Sequence, residues 1–274
     1  MSFLAAAPHA QPAAAILGVP YDATSTFRRG RARAPQAIRW ASQSIETYSP
    51  VLRRDLESVG VTDLGDLEAA GDDPTAMVDA VRTAVAGMGP GTLPIVIGGE
   101  HTLTLGAVQA LASRHPELAV LQLDAHTDLR DEYEGRRLSH ATVMRRVGDA
   151  VPPERIVAFG IRAGTSEEFA LAGAYRACSP RLSVSSEVWR WLQARAVYVT
   201  IDIDALDPSD APGTGNPEPE GIAARDLLAF VRRLSDLPVA GVDIVEVSPP
   251  YDPSGRTAVL AAVIIRETVL ALRG

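Results

Sequence analysis

The chain has 274 residues, 46% of them hydrophobic and 22% charged, so it has enough apolar side chains for a large folded core. Its formal net charge of −8 argues against binding to nucleic acid or to anionic membranes. Cys178 is the only cysteine, which excludes an internal disulfide and fits a reducing compartment. The N-terminus lacks the basic segment of a signal peptide, and no apolar run is long enough to span a bilayer. We therefore expect a soluble cytoplasmic protein.

Short apolar runs alternate with longer amphipathic stretches along the chain. The runs are rich in β-branched residues and nearly continuous in hydrophobicity, as expected for strands covered on both faces. The alternation predicts βαβ units, and so an α/β fold whose mostly parallel sheet lies between helices. No linker or repeat interrupts it, so residues 1–274 are expected to form a single domain. In chain order, the predicted elements are strand 14–19, helix 35–47, strand 60–64, helix 74–86, strand 93–97, helix 104–114, strand 119–123, helix 141–147, strand 155–159, helices 166–174 and 186–194, strand 196–201, helix 223–233, strand 239–245 and helix 255–272.

The segment 207–221, DPSDAPGTGNPEPEG, breaks this alternation. It contains four prolines and three glycines, a density that neither a helix nor a strand tolerates. It can be a plain surface connection, but long loops after parallel strands commonly border the ligand site. We therefore expect this loop beside the functional site.

Four of the predicted strands end in ionisable residues. The carboxyl ends of parallel strands form the binding crevice of an open sheet, so these side chains should meet at one edge. A single aspartate at a strand end is usually a turn or a helix cap, but here D-x-H-x-D and D-x-D follow separate strands. The residues concerned are His101, Asp124, His126, Asp128, Asp202, Asp204 and Glu246.

The spacing of these residues favours a metal site. Residues two apart in an extended chain point the same way, so Asp124, His126 and Asp128 can share one side, and so can Asp202 and Asp204. Four carboxylates so close together would repel each other unless cations neutralised them. With His101 as a sixth ligand, the oxygen and nitrogen donors suit manganese best. Six ligands are too many for one ion that must also bind water, which favours two ions about 3.5–4 Å apart that share carboxylates.

At these residues the sequence resembles the arginase–agmatinase (ureohydrolase) family. The resemblance implies a three-layer α/β/α domain with a mostly parallel eight-stranded sheet that assembles as a homo-oligomer, a trimer or a hexamer. Within the family, ETYSP (46–50) and DLRDEYEG (128–135) are most similar to the shorter prokaryotic agmatinases. The matching motifs are GVPYDATSTF (18–27), GGEHTLTLG (98–106), DAHTD (124–128), SHA (139–141), DIDALDP (202–208), APGTG (211–215) and EVSPPYD (246–252).

The resemblance also implies roles for single residues. His140 matches the family's proton-transfer histidine, and Glu246 matches the carboxylate that holds the guanidinium. Asp128, a ligand that can also face the substrate, would pass a proton to the leaving amine. The implied ligands are His101, Asp124, Asp128 and Asp202 for one manganese ion, and Asp124, His126, Asp202 and Asp204 for the other, with Asp124 and Asp202 bridging.

The implied reaction is hydrolysis of a small cationic guanidino substrate to urea and an amine. Agmatine, which gives putrescine for polyamine biosynthesis, ranks first; N1-aminopropylagmatine and arginine or another guanidino acid are the alternatives. A different binuclear hydrolase, for example a phosphoesterase, is disfavoured because Glu246 would repel phosphate. A non-catalytic regulatory protein is also disfavoured, because such family members generally lose metal ligands.

Two regions of the sequence bear on the choice of substrate. Arginases commonly bind the substrate carboxylate through an Asn at the position of Arg130, and the acidic residues Asp131, Glu132 and Glu134 would favour a cationic tail instead. Many relatives read Arg-Pro-Gly-x-Arg-x-Gly-Pro where this chain has RRGRARAP (28–35). Asn216 and Glu220 likewise stand where Thr and Gly are more common. We expect these loop substitutions to shape the pocket mouth or the subunit contacts.

Overall fold

Eight parallel strands form the central sheet of the computed structural model, which describes residues 1–68 and 71–274. In chain order, they are β1 (Ala14–Val19), β4 (Val61–Asp66), β5 (Leu93–Gly98), β6 (Ala119–Leu123), β7 (Ile156–Phe159), β8 (Ala177–Ser179), β9 (Val197–Asp202) and β10 (Val239–Val245). Their order across the sheet is β4-β1-β5-β10-β9-β6-β7-β8. A separate antiparallel pair joins β2 (Tyr48–Ser49) to β3 (Arg54–Asp55).

Helices cover both faces of this sheet. The core on one face includes residues of α1 (Ala34–Ser42), α6 (Ser186–Gln193), α7 (Ala224–Arg233) and α8 (Arg256–Arg273). The core on the other face includes residues of α2 (Pro74–Gly87), α3 (Thr104–Ala112), α4 (Val143–Ala150) and α5 (Ser166–Ala172). The predicted three-layer α/β/α fold is therefore confirmed. Over the part of the chain that is described, no helix is long and apolar enough to cross a membrane.

The continuous hydrophobicity of the strands follows from burial on both faces. In β5, Ile95 and Ile97 pack in one core, whereas Val96 between them packs in the other. In β9, Val199 and Tyr198 divide in the same way. Successive side chains of a strand point to opposite faces, so a strand between two helical layers needs an apolar residue at nearly every position.

Most predicted bounds agree with the structure to within three residues; the exceptions are strand β8 and the β2–β3 pair, which were not predicted, and the end of helix α1. The edge strand β8 was missed, because its three residues are partly exposed and form no continuous apolar run. Helix α1 ends at Ser42 and not at residue 47, because the chain turns there and continues into the β2–β3 pair.

The four strands that lead into the candidate site residues are consecutive neighbours in the sheet, β5-β10-β9-β6. Their carboxyl ends are level: Val245 pairs with Asp202, and Leu123 pairs with Ile201. The topology therefore brings segments from distant parts of the sequence to the middle of one sheet edge, where parallel α/β folds bind ligands.

Candidate metal and substrate site

One imidazole lies at the centre of a first group of candidate ligands. Nδ1 of His101 is 3.0 Å from Oδ2 of Asp128, 3.3 Å from Oδ2 of Asp124 and 3.5 Å from Oδ2 of Asp202. All four residues are buried. This is the set that the family resemblance gave to one ion.

A second group surrounds His126. Its Nδ1 lies 3.0 Å from Oδ2 of Asp204 and 3.8 Å from Oδ1 of Asp124. Asp124 thus directs one oxygen toward each histidine, as a carboxylate shared between two ions would. In each of two trios, His101–Asp124–Asp128 and Asp124–His126–Asp204, the possible ligand atoms lie within 4.8 Å of one another.

Hydrogen bonds and bends of the local backbone orient these carboxylates. Asp202 and Asp124 each accept a hydrogen bond from the backbone N–H two residues ahead, at 2.8 and 2.6 Å. Asp128 and Glu246 adopt left-handed φ angles of 52° and 69°. The side chain of Asp128 is therefore positioned by a bend in the backbone and not by the alternation of side chains along an extended strand. The carbonyl of Asp128 accepts hydrogen bonds from backbone N–H groups at the start of α4. Such backbone strain in non-glycine residues is concentrated at functional sites.

The other ring nitrogen of His101 contacts a buried polar network that was not predicted from the sequence. Nε2 is 2.9 Å from Oγ1 of Thr200. Nearby, fully buried Asp243 accepts hydrogen bonds from Tyr198 at 2.6 Å and from Thr104 at 2.7 Å. Contacts of this kind fix the orientation of a ligating histidine. The available signal was Asp243 itself, a charged residue inside an otherwise apolar strand.

The electrostatics of the cluster favour a bound cation. Burial alone would lower the pKa of His126, but Asp204 raises it to about 10. Burial would raise the pKa of Asp204, but His126 lowers it to about 2. Burial and the charge of Asp124 raise the pKa of Asp128 to about 7, and burial and Asp204 raise that of Asp202. Each carboxylate thus opposes the ionisation of its neighbours, and bound divalent ions would remove that opposition.

A cavity of about 290 Å³ opens over both groups. Its lining includes Asp128, Asp202 and Asp204 of the cluster together with His140 and Glu246. The structure therefore brings all three predicted catalytic side chains to the same cavity as the candidate ligands.

His140 lies at the wall of this cavity. Its ring makes an edge-to-face contact with Tyr133, with centroids 5.9 Å apart. Its backbone N–H donates to Oγ1 of Thr24 at 3.2 Å, and its Nδ1 is 3.4 Å from the same oxygen. Burial and the positive charge of Arg31 lower the pKa of His140 to about 4, so the imidazole is neutral at pH 7.

Glu246 is held by two donors. Its Oε1 accepts a hydrogen bond from the backbone N–H of His101 at 2.8 Å. Its Oε2 contacts Nε of Arg31. The contact with His101 is expected, because His101 and Glu246 follow the neighbouring strands β5 and β10. Arg31 comes from the N-terminal part of the chain and was not predicted to reach the site.

The acidic residues expected at the mouth are not part of the cavity lining. Asp131 is paired with Arg146 at 2.5 Å and with Arg137 at 3.3 Å, so its charge is already balanced. Among the described residues that line the cavity, neither Asp131 nor Glu132 nor Glu134 is present. The preference of these residues for a cationic substrate tail stays a prediction.

Other polar groups occupy the outer part of the cavity. The predicted contribution of the 207–221 loop is confirmed, since Asn216 and Glu218 belong to the lining. Arg130 also lines the cavity, stacked over Tyr133 at 4.9 Å and 3.7 Å from Oε2 of Glu168. Sequence spacing carried no signal for Glu218 or Glu168, because neither belongs to a strand-end cluster.

The donor set fits divalent metal ions. It combines imidazole nitrogens with carboxylate oxygens, and the described lining includes no cysteine. Mixed nitrogen and oxygen donors suit manganese and related borderline ions, and the sharing of Asp124 suits two ions better than one.

Comparison with known proteins agrees with this geometry. A family model described as the arginase family matches residues 12–271. An agmatinase of Bacillus subtilis is 41% identical over 275 residues, which cover 98% of this chain and 95% of that protein. A guanidinobutyrase of Pseudomonas aeruginosa is 33% identical over 282 residues, covering 95% and 86%. The crystal structure of a putative agmatinase from Clostridium difficile superposes with a TM-score of 0.92 at 35% identity, covering 97% of this chain and 99% of that one. The chain therefore belongs to the arginase family and is an enzyme of the ureohydrolase type.

Proposed function

We propose that the chain hydrolyses agmatine to putrescine and urea with two manganese ions per chain. The observation that carries this proposal is the meeting of two His/Asp groups and Glu246 at a single cavity. We further propose that residues 1–274 form one ureohydrolase domain, and that the protein acts in the cytoplasm as a homo-oligomer, a trimer or a hexamer.

Each ion has a defined set of side chains in this proposal. Two bound ions would supply a water molecule activated for attack at neutral pH. His101, Asp124, Asp128 and Asp202 would hold one ion, and Asp124, His126, Asp202 and Asp204 would hold the other. The contacts of His101 Nδ1 with three carboxylates and of His126 Nδ1 with two support this division.

The remaining groups orient the substrate and move protons. Glu246 faces the cavity and would hold the guanidinium through charge-assisted hydrogen bonds. Asp128, which also lines the cavity, would accept a proton and deliver it to the leaving amine. His140 is neutral at pH 7 and would carry protons between the cavity and solvent. The products are urea and a primary amine.

Agmatine ranks first because the agmatinase relative matches nearly the whole chain and because Glu218 presents a half-exposed carboxylate to the cavity. A carboxylate there favours a substrate with a cationic tail. N1-aminopropylagmatine fits the same argument if the cavity admits a longer tail. Arg130 favours the second candidate, a guanidino acid, because its side chain is 40% exposed at the cavity and would attract a carboxylate.

A substrate panel tests this ranking. Urea release is measured with manganese-loaded protein for agmatine, N1-aminopropylagmatine, arginine and 4-guanidinobutyrate, with metal-stripped protein as the control. We expect kcat/KM to be highest for agmatine. A higher value for arginine or guanidinobutyrate would overturn the agmatine assignment, and activity that survives metal removal would overturn the mechanism.

A variant pair separates the two tail-binding arguments. Removing the charge in Glu218→Gln should raise the KM for agmatine and leave that for guanidinobutyrate nearly unchanged. Arg130→Gln should do the reverse, raising the KM for guanidinobutyrate. If Glu218→Gln leaves the agmatine KM unchanged, Glu218 does not bind the substrate tail.

A further inference from the structure

Arg31 places a guanidinium group of the protein itself against Glu246. Its side chain is completely buried, and Nε contacts Oε2 of Glu246. Glu246 lines the cavity, whereas Arg31 does not belong to the lining. The arginine therefore contacts the carboxylate from within the protein interior.

Several contacts hold this guanidinium in place. Nη2 donates to Oδ1 of Asn216 at 2.6 Å, and Nη1 lies 3.7 Å from Oδ1 of Asp22. The backbone N–H of Arg31 donates to the same aspartate at 3.2 Å. A Cβ on Gly215 would overlap the guanidinium, so the glycine leaves the space that the group fills.

These contacts join two loops that are distant in the sequence. Arg31 lies just before α1, and Asn216 lies in the loop after β9. The two side chains meet through the hydrogen bond from Nη2 to Oδ1. Together they hold a buried cation on the carboxylate that is proposed to bind the substrate.

A carboxylate that already has a buried cationic partner attracts a second cation less strongly. Both oxygens of Glu246 are engaged, Oε1 by the backbone of His101 and Oε2 by Arg31. An incoming guanidinium must share the carboxylate with Arg31 and bear the repulsion between two like charges. A carboxylate that lacked its internal partner would instead gain one on substrate binding.

We propose that Arg31 is a specificity-determining residue that competes with the substrate guanidinium for Glu246 and so sets the affinity for cationic guanidino compounds. This inference rests on the proposed function, which gives Glu246 to the substrate. The competition lowers the affinity for every ligand that binds Glu246 through a guanidinium group. It leaves unchanged the affinity for ligands that bind through other groups.

The test compares two variants that differ in charge at the same position. Arg31→Gln keeps a hydrogen-bonding side chain but removes the competing charge, whereas Arg31→Lys keeps the charge. At saturating manganese, we expect Arg31→Gln to lower the KM for agmatine about tenfold, because apparent affinity rises as the competent fraction of sites rises. Its kcat should change much less, and Arg31→Lys should resemble the parent. Arg33→Ala is the control, since Arg33 is an exposed arginine of the same loop.

A binding measurement distinguishes failure of this inference from failure of the proposed function. Calorimetric titration of the manganese-loaded proteins with guanidinium chloride needs no turnover, and the dissociation constant should fall by a similar factor in Arg31→Gln. If no guanidino compound releases urea but guanidinium binding tightens, the proposed function fails and the competition stands. An unchanged or higher KM together with unchanged guanidinium binding in Arg31→Gln would overturn the inference and assign Arg31 to holding Glu246 in place. If that variant does not fold, Asn216→Thr, which shortens the acceptor at Nη2, replaces it and should lower the dissociation constant for guanidinium by a smaller factor.

Discussion

Metal-linked stability gives the sharpest test of the shared ligand. Asp124 directs Oδ2 toward His101 and Oδ1 toward His126, at 3.3 and 3.8 Å. The substitution Asp124→Asn keeps the shape of the side chain and removes the charge from both groups. We expect the parent to hold two ions and the variant to lose at least one of them.

The size of the effect follows from mass action. An ion present at about 100 times its dissociation constant stabilises the folded state by about 2.7 kcal/mol, so two ions contribute about 5 kcal/mol. For chains of this size about 1 kcal/mol shifts the melting temperature by about 2–4 °C, so the parent should gain about 10–20 °C. The Asp124→Asn variant should gain less than half of that at the same manganese concentration.

Calorimetric melting with and without manganese, together with metal analysis, measures both quantities. Asp79→Asn serves as the control, because Asp79 is an exposed aspartate of α2 that pairs with Arg82. Asp202→Asn should behave like Asp124→Asn if it also bridges. Two ions per chain and an undiminished melting shift in both variants would refute the assignment of Asp124 and Asp202 as ligands shared between the ions.

Three further substitutions test the proton route, a strained residue and a buried ion pair. His140→Ala should lower kcat by about 10²-fold or more with metal content unchanged, and an unchanged rate across the pH range would exclude the shuttle role. Glu220→Gly should raise unfolding free energy by about 0.5–1 kcal/mol, because Glu220 has a left-handed φ of 62°, whereas Glu220→Ala should not. Burial would raise the pKa of Glu267, but hydrogen bonds from Arg232 and Arg266 help to lower it. Its stabilisation is thus complete above the unfolded glutamate pKa, about 4.3, and is lost as pH falls through the lower folded value. Denaturant unfolding of Glu267→Gln should show a deficit of about 3 kcal/mol at pH 7 that shrinks toward pH 3; a constant deficit would contradict the argument.

The sequence predicted the sheet and the ligand groups because both depend on short-range patterns. Strands covered on both faces need nearly continuous apolar runs, and β5, β6, β9 and β10 have them. Parallel pairing then brings the residues after these strands to one edge, whichever helices connect them. The convergence of His101 on Asp124 and Asp128 was expected on this ground.

Contacts between loops could not be predicted in the same way. Nothing in the spacing of RRGRARAP indicates that Arg31 reaches Glu246, because that contact depends on how two loops cross above the sheet. The charges of Asp131 and Arg146 likewise gave no sign that they cancel, since a neighbouring helix brings them together. The short strand β8 is recognised only through its pairing with β7.

The arrangement of strands β5, β10, β9 and β6 side by side also has a consequence for the stage of synthesis at which a metal site can form. The candidate ligands extend from His101 to Asp204, and the strand that separates β5 from β9 in the sheet begins only at Val239. A growing chain that has not yet produced β10 lacks the strand that sets the spacing between these ligands. We therefore expect high-affinity metal binding to follow synthesis of most of the chain, and a bound ion would then join residues from strands throughout the middle of the sheet.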